Sequence, residues 1–315
     1  MKKTVTYLFL LFSLTLFSQS YHFLYLKAKK ENGLAENNVY DLLQDKRGSI
    51  WMATHNGVSV YDGFNFTQFN QENGLPSNVI NCLYEDVRGY IWIGTSRGLA
   101  VYDGVNFTIY TKEHGLTLNH IKSICEDGFG RLWIGTNNGG LCMLDNVNEV
   151  QNNFTPYNLD FGRGTDLTVN KVIETPDAKI YVGTDMGLAE IFNGVIKTYT
   201  KKDGLIGNHI YDLHEDVNGD IWVATSSGLS LFSNGEFKNF TKSNGFPYNE
   251  IFSLEEDKTD NIWIGTRNGV LKLNINTYKY EIFNSDKGLS EDLVETILED
   301  KHDNIWVGTR GGGHP

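Results

Sequence analysis

The chain has 315 residues, a formal net charge of −12, and a composition that is 40% apolar and 21% charged. Those proportions are ordinary for a globular protein and exclude a disordered or fibrous chain. The acidic balance, with no clustering of Lys and Arg, argues against a nucleic-acid partner, which would need a basic face. Two figures are less ordinary: 33 Gly against 5 Pro, and 13% aromatic residues. Glycine turns between aromatic-rich segments suit a chain of short strands.

At the N-terminus, Lys2 and Lys3 precede an apolar stretch from Val5 to Phe17, followed by Ser18-Gln19-Ser20. A basic segment, a short apolar core and small residues form a secretory signal peptide over residues 1–20, with cleavage expected after Ser20. The apolar stretch is too short to cross ~30 Å of hydrocarbon. After cleavage no membrane contact by the chain is expected. The three cysteines (Cys82, Cys125, Cys142) fit no metal spacing, and no metal or cofactor is expected.

Beyond residue 20 the sequence repeats. Ile50-Trp51-Met52-Ala53-Thr54, Ile91-Trp92-Ile93-Gly94-Thr95 and Leu132-Trp133-Ile134-Gly135-Thr136 are near copies, and the aromatic recurs at Trp51, Trp92, Trp133, Tyr181, Trp222, Trp263 and Trp306. The intervals are 41, 41, 48, 41, 41 and 43 residues, a period that fits a four-stranded propeller blade. Each unit parses into four strands. Strand A ends in an acidic turn such as Asp86–Gly89, and strand B carries the aromatic. Strand C follows a Gly turn, and Asp103-Gly104 starts a tight hairpin into strand D. The fold expected over residues 21–315 is all-β, a seven-bladed propeller of four-stranded antiparallel blades. Its closing blade is shared by both termini: Tyr21–Leu26 would supply strand D and Val294–Thr309 strands A and B. One strand of that blade is then lacking, which suggests a chain cut from a longer protein.

Within the units, apolar residues six and three places before the strand-A Asp (Ile80 and Leu83, for example) put both faces of strand A in the core. Cys82 and Cys142 fall at small-residue positions and are expected to be buried packing residues. The fourth unit deviates. Tyr181 replaces Trp, its turn at Thr175-Pro176-Asp177-Ala178 reads as two residues shorter, and the approach over residues 148–166 reads as a protruding loop.

The pattern N-G-L…L-x-E-D-x-x-G-x-I-W-I-G-T-x-x-G-L…Y-D-G, nearly complete from Asn73-Gly74-Leu75 to Tyr102-Asp103-Gly104, resembles the two-component-regulator propeller repeat. That resemblance spans essentially all of residues 21–313. It implies the first propeller of the periplasmic sensor region of a hybrid two-component histidine kinase, sensing an oligosaccharide. By the same resemblance, its partners would be further domains or a second propeller of the parent sensor, or a second copy of the chain.

No catalytic constellation appears. The Glu-Asp pairs at 85–86, 126–127, 215–216, 256–257 and 299–300 suggest a glycosidase, but their recurrence at one turn assigns them to the fold, with Asp accepting backbone N–H groups. No zinc, phosphate-loop or nucleophile-elbow motif occurs, and the chain is read as a non-enzyme. Function is then expected where units differ, around the channel mouth formed by the B–C and D–A loops. The candidate ligand-binding residues are His55, Asn56, Arg97, Asn137, Asn138, Asp185, Arg267 and Asn268 in B–C loops, and Tyr248 in a D–A loop. Lys122 and Tyr211 join them from a strand-A column that also holds Tyr40, Asn81, Phe252 and Glu295. A secreted scaffold for protein contacts is the alternative. A propeller lyase or glycosidase is a more distant one, because it would need a convergent polar set that is not recognisable in the sequence.

Overall fold

The computed structural model describes Leu24, Leu26 and residues 33–147, 154–162 and 166–311. The expected signal peptide lies outside the described residues, as does most of Tyr21–Leu26. Leu24 and Leu26 belong to no strand.

Among the described residues, twenty-six short strands make six four-stranded antiparallel meanders and one two-stranded sheet. Blade 1 is β1 (Asp41–Gln44), β2 (Ile50–Thr54), β3 (Gly57–Tyr61) and β4 (Phe66–Phe69); blade 2 is β5 (Ile80–Glu85), β6 (Ile91–Thr95), β7 (Gly98–Tyr102) and β8 (Phe107–Tyr110). Blade 3 is β9 (Ile121–Glu126), β10 (Leu132–Thr136), β11 (Gly140–Leu144) and β12 (Thr155–Tyr157); blade 4 is β13 (Val169–Glu174), β14 (Ile180–Thr184), β15 (Leu188–Phe192) and β16 (Val195–Tyr199). Blade 5 is β17 (Ile210–Glu215), β18 (Ile221–Thr225), β19 (Gly228–Ser233) and β20 (Glu236–Phe240); blade 6 is β21 (Ile251–Asp257), β22 (Asn261–Thr266), β23 (Gly269–Asn274) and β24 (Tyr280–Phe283). The last repeat supplies only β25 (Val294–Glu299) and β26 (Ile305–Thr309).

The expectation of seven blades is therefore corrected: six four-stranded blades are formed. Among the described residues the closing unit has two strands and not the expected three: β25 and β26 pair only with each other. This two-stranded sheet sits between blade 6 and blade 1, with β25 against β21 on one side and β1 on the other. Several hydrogen bonds make the second join, among them Lys301 Nζ to the Asp45 and Lys46 carbonyls and Gly311 N to Asn38 Oδ1. Val39 N donates to the Thr309 carbonyl at 3.2 Å, and Lys301 N donates to Gln44 Oε1 at 2.8 Å.

The second join is one instance of a recurring device. In each turn after an inner strand, one N–H reaches the side chain that ends the inner strand of the following unit. Lys46 N donates to Glu85, Val87 N to Glu126, Gly128 N to Glu174, Val217 N to Glu256 and Lys258 N to Glu299. These Glu residues thus lace the units together. Blade 4 breaks the series, because Pro176 stands where the N–H would be and has none to give Glu215.

The Asp beside each Glu works within its own unit. Asp86 Oδ1 accepts from the N–H groups of Arg88 and Tyr90, and Oδ2 accepts from the Trp92 indole at 3.0 Å. The same indole–carboxylate bond joins Asp45–Trp51, Asp127–Trp133, Asp216–Trp222, Asp257–Trp263 and Asp300–Trp306. These Trp side chains are large apolar bodies whose N–H would otherwise be buried without a partner. In unit four both members change together, to Thr175 and Tyr181. Its turn is not shorter: Thr175 N donates to the Lys179 carbonyl as Asp86 N does to that of Tyr90. The expected protruding loop lies partly outside the described residues. Its described part holds β12 and the fully buried Leu159.

Packing between blades explains the Gly in the repeated I-W-I-G-T. A Cβ on Gly135 would meet Val169 Cγ1 at 2.6 Å and the Val169 carbonyl oxygen at 2.9 Å. All three cysteines are buried and unpaired, as the columns of Cys82 and Cys142 lead one to expect, and burial raises each thiol's pKa.

The candidate site in the central cavity

The inner strands carry an irregularity that the sequence pattern hides. In β5, β9, β13, β17, β21 and β25 the register slips by one residue, leaving Asn81, Lys122, Asn170, Tyr211, Phe252 and Glu295 without a partner across the sheet. A bulge of this kind re-aims a side chain. These six residues and Tyr40, their counterpart in unit one, all line a central cavity of about 710 Å³.

Most bulge side chains are engaged by the protein. Asn81 and Asn170 donate to the carbonyls of Ile121 and Ile210 on the next inner strands, each at 2.8 Å. The Tyr211 ring meets His209 and Phe252, and Arg267 lies over Phe252. Glu295 pairs with Arg310 at 2.9 Å, and the Arg310 guanidinium covers Tyr40, whose ring also stacks on His55 at 3.8 Å.

One residue deeper lies a charged layer. Asp41 accepts Leu83 N and Asp212 accepts Leu254 N, so each ties its blade to the next. Lys171 Nζ bonds Asp212 Oδ1 at 2.9 Å, and its side chain remains 40% exposed to the channel. Burial pushes the Asp41 carboxyl up to about 6 despite the Lys171 charge, and pushes Glu255 up to about 6 as well. Burial works against the Lys171 ammonium, but the carboxylates of Asp212 and Asp41 outweigh it and hold its pKa above the ordinary value.

Of the residues proposed from sequence, the cavity gathers His55, Lys122, Tyr211 and Arg267, together with His120. Asn56, Arg97, Asn137, Asn138, Asp185, Tyr248 and Asn268 do not line it. Asn56, Arg97 and Asn268 hold the second place in their B–C turns, where their N–H groups donate to Thr54, Thr95 and Thr266 Oγ1. Asn138, at φ 58°, donates its N–H to Thr168 Oγ1, and Asp185 accepts from Thr168 N. Asn137 contacts His120 through its amide, and Tyr248 packs on the core of blades 5 and 6. The residues missed were Asn170 and the buried acids and lysine below the bulges. An internal alignment extended through the fourth unit would have placed Asn170.

A ring of antiparallel blades around a polar, aromatic-walled cavity defines a β-propeller of the ligand-pocket kind. The sequence pattern of the two component regulator propeller family matches residues 33–56, 74–97, 115–138, 204–227, 245–268 and 288–311. The chain is built from two component regulator propeller repeats, and the unit left unmatched is the one that has lost both Asp and Trp. Among solved structures it is similar to the extracellular domain of BT3049 of B. thetaiotaomicron, a protein assigned to the hybrid two component systems. The TM-score is 0.76 and the identity 28%, over 92% of this chain and 41% of that one. The corresponding domain of BT4673 from the same organism gives a TM-score of 0.69 at 26% identity, over 90% of this chain and 39% of that one. The chain therefore spans about two fifths of these relatives. Virginiamycin B lyase of Staphylococcus aureus (TM-score 0.70, 14% identity, 87% of this chain and 92% of that one) shares the fold. No curated protein matched the sequence. This is a propeller domain related to the extracellular domains of two-component systems, and no helix among the described residues is long and apolar enough to cross a membrane.

Proposed function

We propose that the chain is a periplasmic sensor propeller that takes an oligosaccharide into the mouth of its central cavity and performs no chemistry on it. The observation that carries this reading is the bulge column. Seven units aim seven side chains of five kinds into one cavity, where the aromatic groups Tyr40, His55, Tyr211 and Phe252 stand beside amides and charged groups. Such a wall suits sugar rings, which have apolar C–H faces and many hydroxyls. Binding would be passed on through contacts with further domains, a second propeller or a second copy of the chain.

Calorimetry against a panel of oligosaccharides tests the reading. One class should bind, and Tyr211→Ala should weaken it about tenfold, roughly 1.4 kcal/mol. No heat with any saccharide, or binding indifferent to Tyr211→Ala, would sink the proposal. For location, a fusion of residues 1–40 to a phosphatase active only outside the cytoplasm should be active in a Gram-negative host. An inactive fusion that accumulates in the cytoplasm would contradict export.

A further inference from the structure

The cavity's cations are not equivalent. Lys171 is paired with Asp212, Arg267 with Glu250 at 2.9 Å, and Arg310 with Glu295. Lys122 alone among the cavity's cations forms no ion pair or hydrogen bond with a described residue, and it alone among the bulge side chains is engaged by no neighbour. It is half-buried. Three titratable groups of the same cavity lining feel its charge, and none carries a negative charge to neutralise it: His55, His120 and the thiol of Cys82, which burial keeps protonated. Glu36 acts on His55 from outside this group and bonds the His55 N–H at 3.1 Å. In a chain of net charge −12, an unpaired ammonium that shares a cavity with two imidazoles is an arrangement that favours an anion.

We propose that Lys122, in the cavity wall it shares with His55 and His120, is a subsite for a single anionic group, so that the saccharide recognised in this cavity is acidic, bearing a uronate carboxylate or a sulfate ester. The proposal rests on the oligosaccharide reading above and adds the ligand's charge. A neutral sugar would leave Lys122 unpaired in a space from which the sugar itself has displaced water, and that is costly. An acidic sugar would place a carboxylate or sulfate against it while its rings lie against the exposed His55.

The test follows the imidazole resonances of His55 and His120 by NMR at fixed pH. The full-length chain is titrated with sodium D-glucuronate, sodium D-glucose-6-sulfate and D-glucose at matched ionic strength. At least one of the two anionic sugars should shift the His120 signals saturably, and which one does so separates carboxylate from sulfate. Glucose should shift them at least tenfold more weakly. Lys122→Met should abolish the anion response, whereas Lys122→Arg should retain it. Met keeps the stem and removes the charge, and the unchanged dispersion of the remaining signals reports that the variant is folded. Equal responses to glucose and the acidic sugars, or an anion response that survives in Lys122→Met, would overturn the subsite while leaving the oligosaccharide reading standing. No response to any sugar, together with no heat from the oligosaccharide panel, would remove both.

Discussion

Replacing Asp86 by alanine should destabilise the folded chain by about 3–4 kcal/mol, because four groups lose their acceptor together. They are the N–H groups of Arg88 and Tyr90, the Trp92 indole and the Arg88 guanidinium, with Asp86 and Trp92 both buried. Urea titration followed by tryptophan fluorescence measures the loss. Thr175→Ala provides the internal comparison, since Thr175 holds the same place in unit four without an indole to satisfy, and should cost about 1 kcal/mol. A double-mutant cycle with Trp92→Phe isolates the indole bond, with an expected coupling of about 1–2 kcal/mol. If Asp86→Ala costs no more than Thr175→Ala, the carboxylate is not what fixes the turn to the strand. The Asp86 carboxyl is held below its ordinary pKa: burial opposes this, but the hydrogen bonds from Arg88, Trp92 and Tyr90 prevail. Its contribution is therefore complete above the unfolded value of ~3.9 and is lost as the pH falls below it.

The strand-by-strand plan was legible in the sequence because every unit writes its strands, turns and Trp at one period. The Glu-Asp pairs were correctly assigned to the fold, but only the coordinates separate their two tasks. Asp caps its own turn, while Glu laces one unit to the previous one. The blade count was not legible, because counting aromatics gives seven units and a unit is not a blade. The unit at residues 294–309 carries its Trp and its Asp, yet β25 and β26 find no third strand among the described residues. Of the eleven residues proposed for the site, four line the cavity. B–C loop residues were chosen because loops vary, but in a T-x-x-G turn the second residue is spent on its backbone bond to Thr. The bulge was hidden because a one-residue slip changes no residue type; it shows only as register.

Lowering the pH from 7.5 to about 5 should stabilise the chain, and lowering it further should unfold it. Burial raises the carboxyl pKa of Asp41, Glu255, the lacing residues Glu85, Glu174 and Glu299, and the unlaced Glu215. A raised carboxyl makes the folded state bind protons before the unfolded one, so stability grows as the pH falls from about 7 toward the unfolded values near ~4. Below that, the carboxyls of Asp86, Asp257 and Asp300, held low in the fold, make the unfolded state the better proton binder, and the sign reverses. Lys171→Met separates the channel from the surface. Without that ammonium, Asp41 and Asp212 repel each other across the channel with no cation between them, and stability at pH 7.5 should drop by about 2 kcal/mol, less than for a dry ion pair because water reaches Lys171. Lys171 itself stays protonated throughout this range, since its pKa is raised from an already high value, so it adds no pH dependence of its own. The deficit should therefore shrink toward pH 5 as Asp41 takes up its proton. Urea midpoints at five pH values, wild type against Lys171→Met, decide the matter: parallel curves would mean that the channel carboxylates do not sense Lys171, and a wild-type midpoint rising steadily from pH 5 to 7.5 would contradict the buried-carboxyl account as a whole.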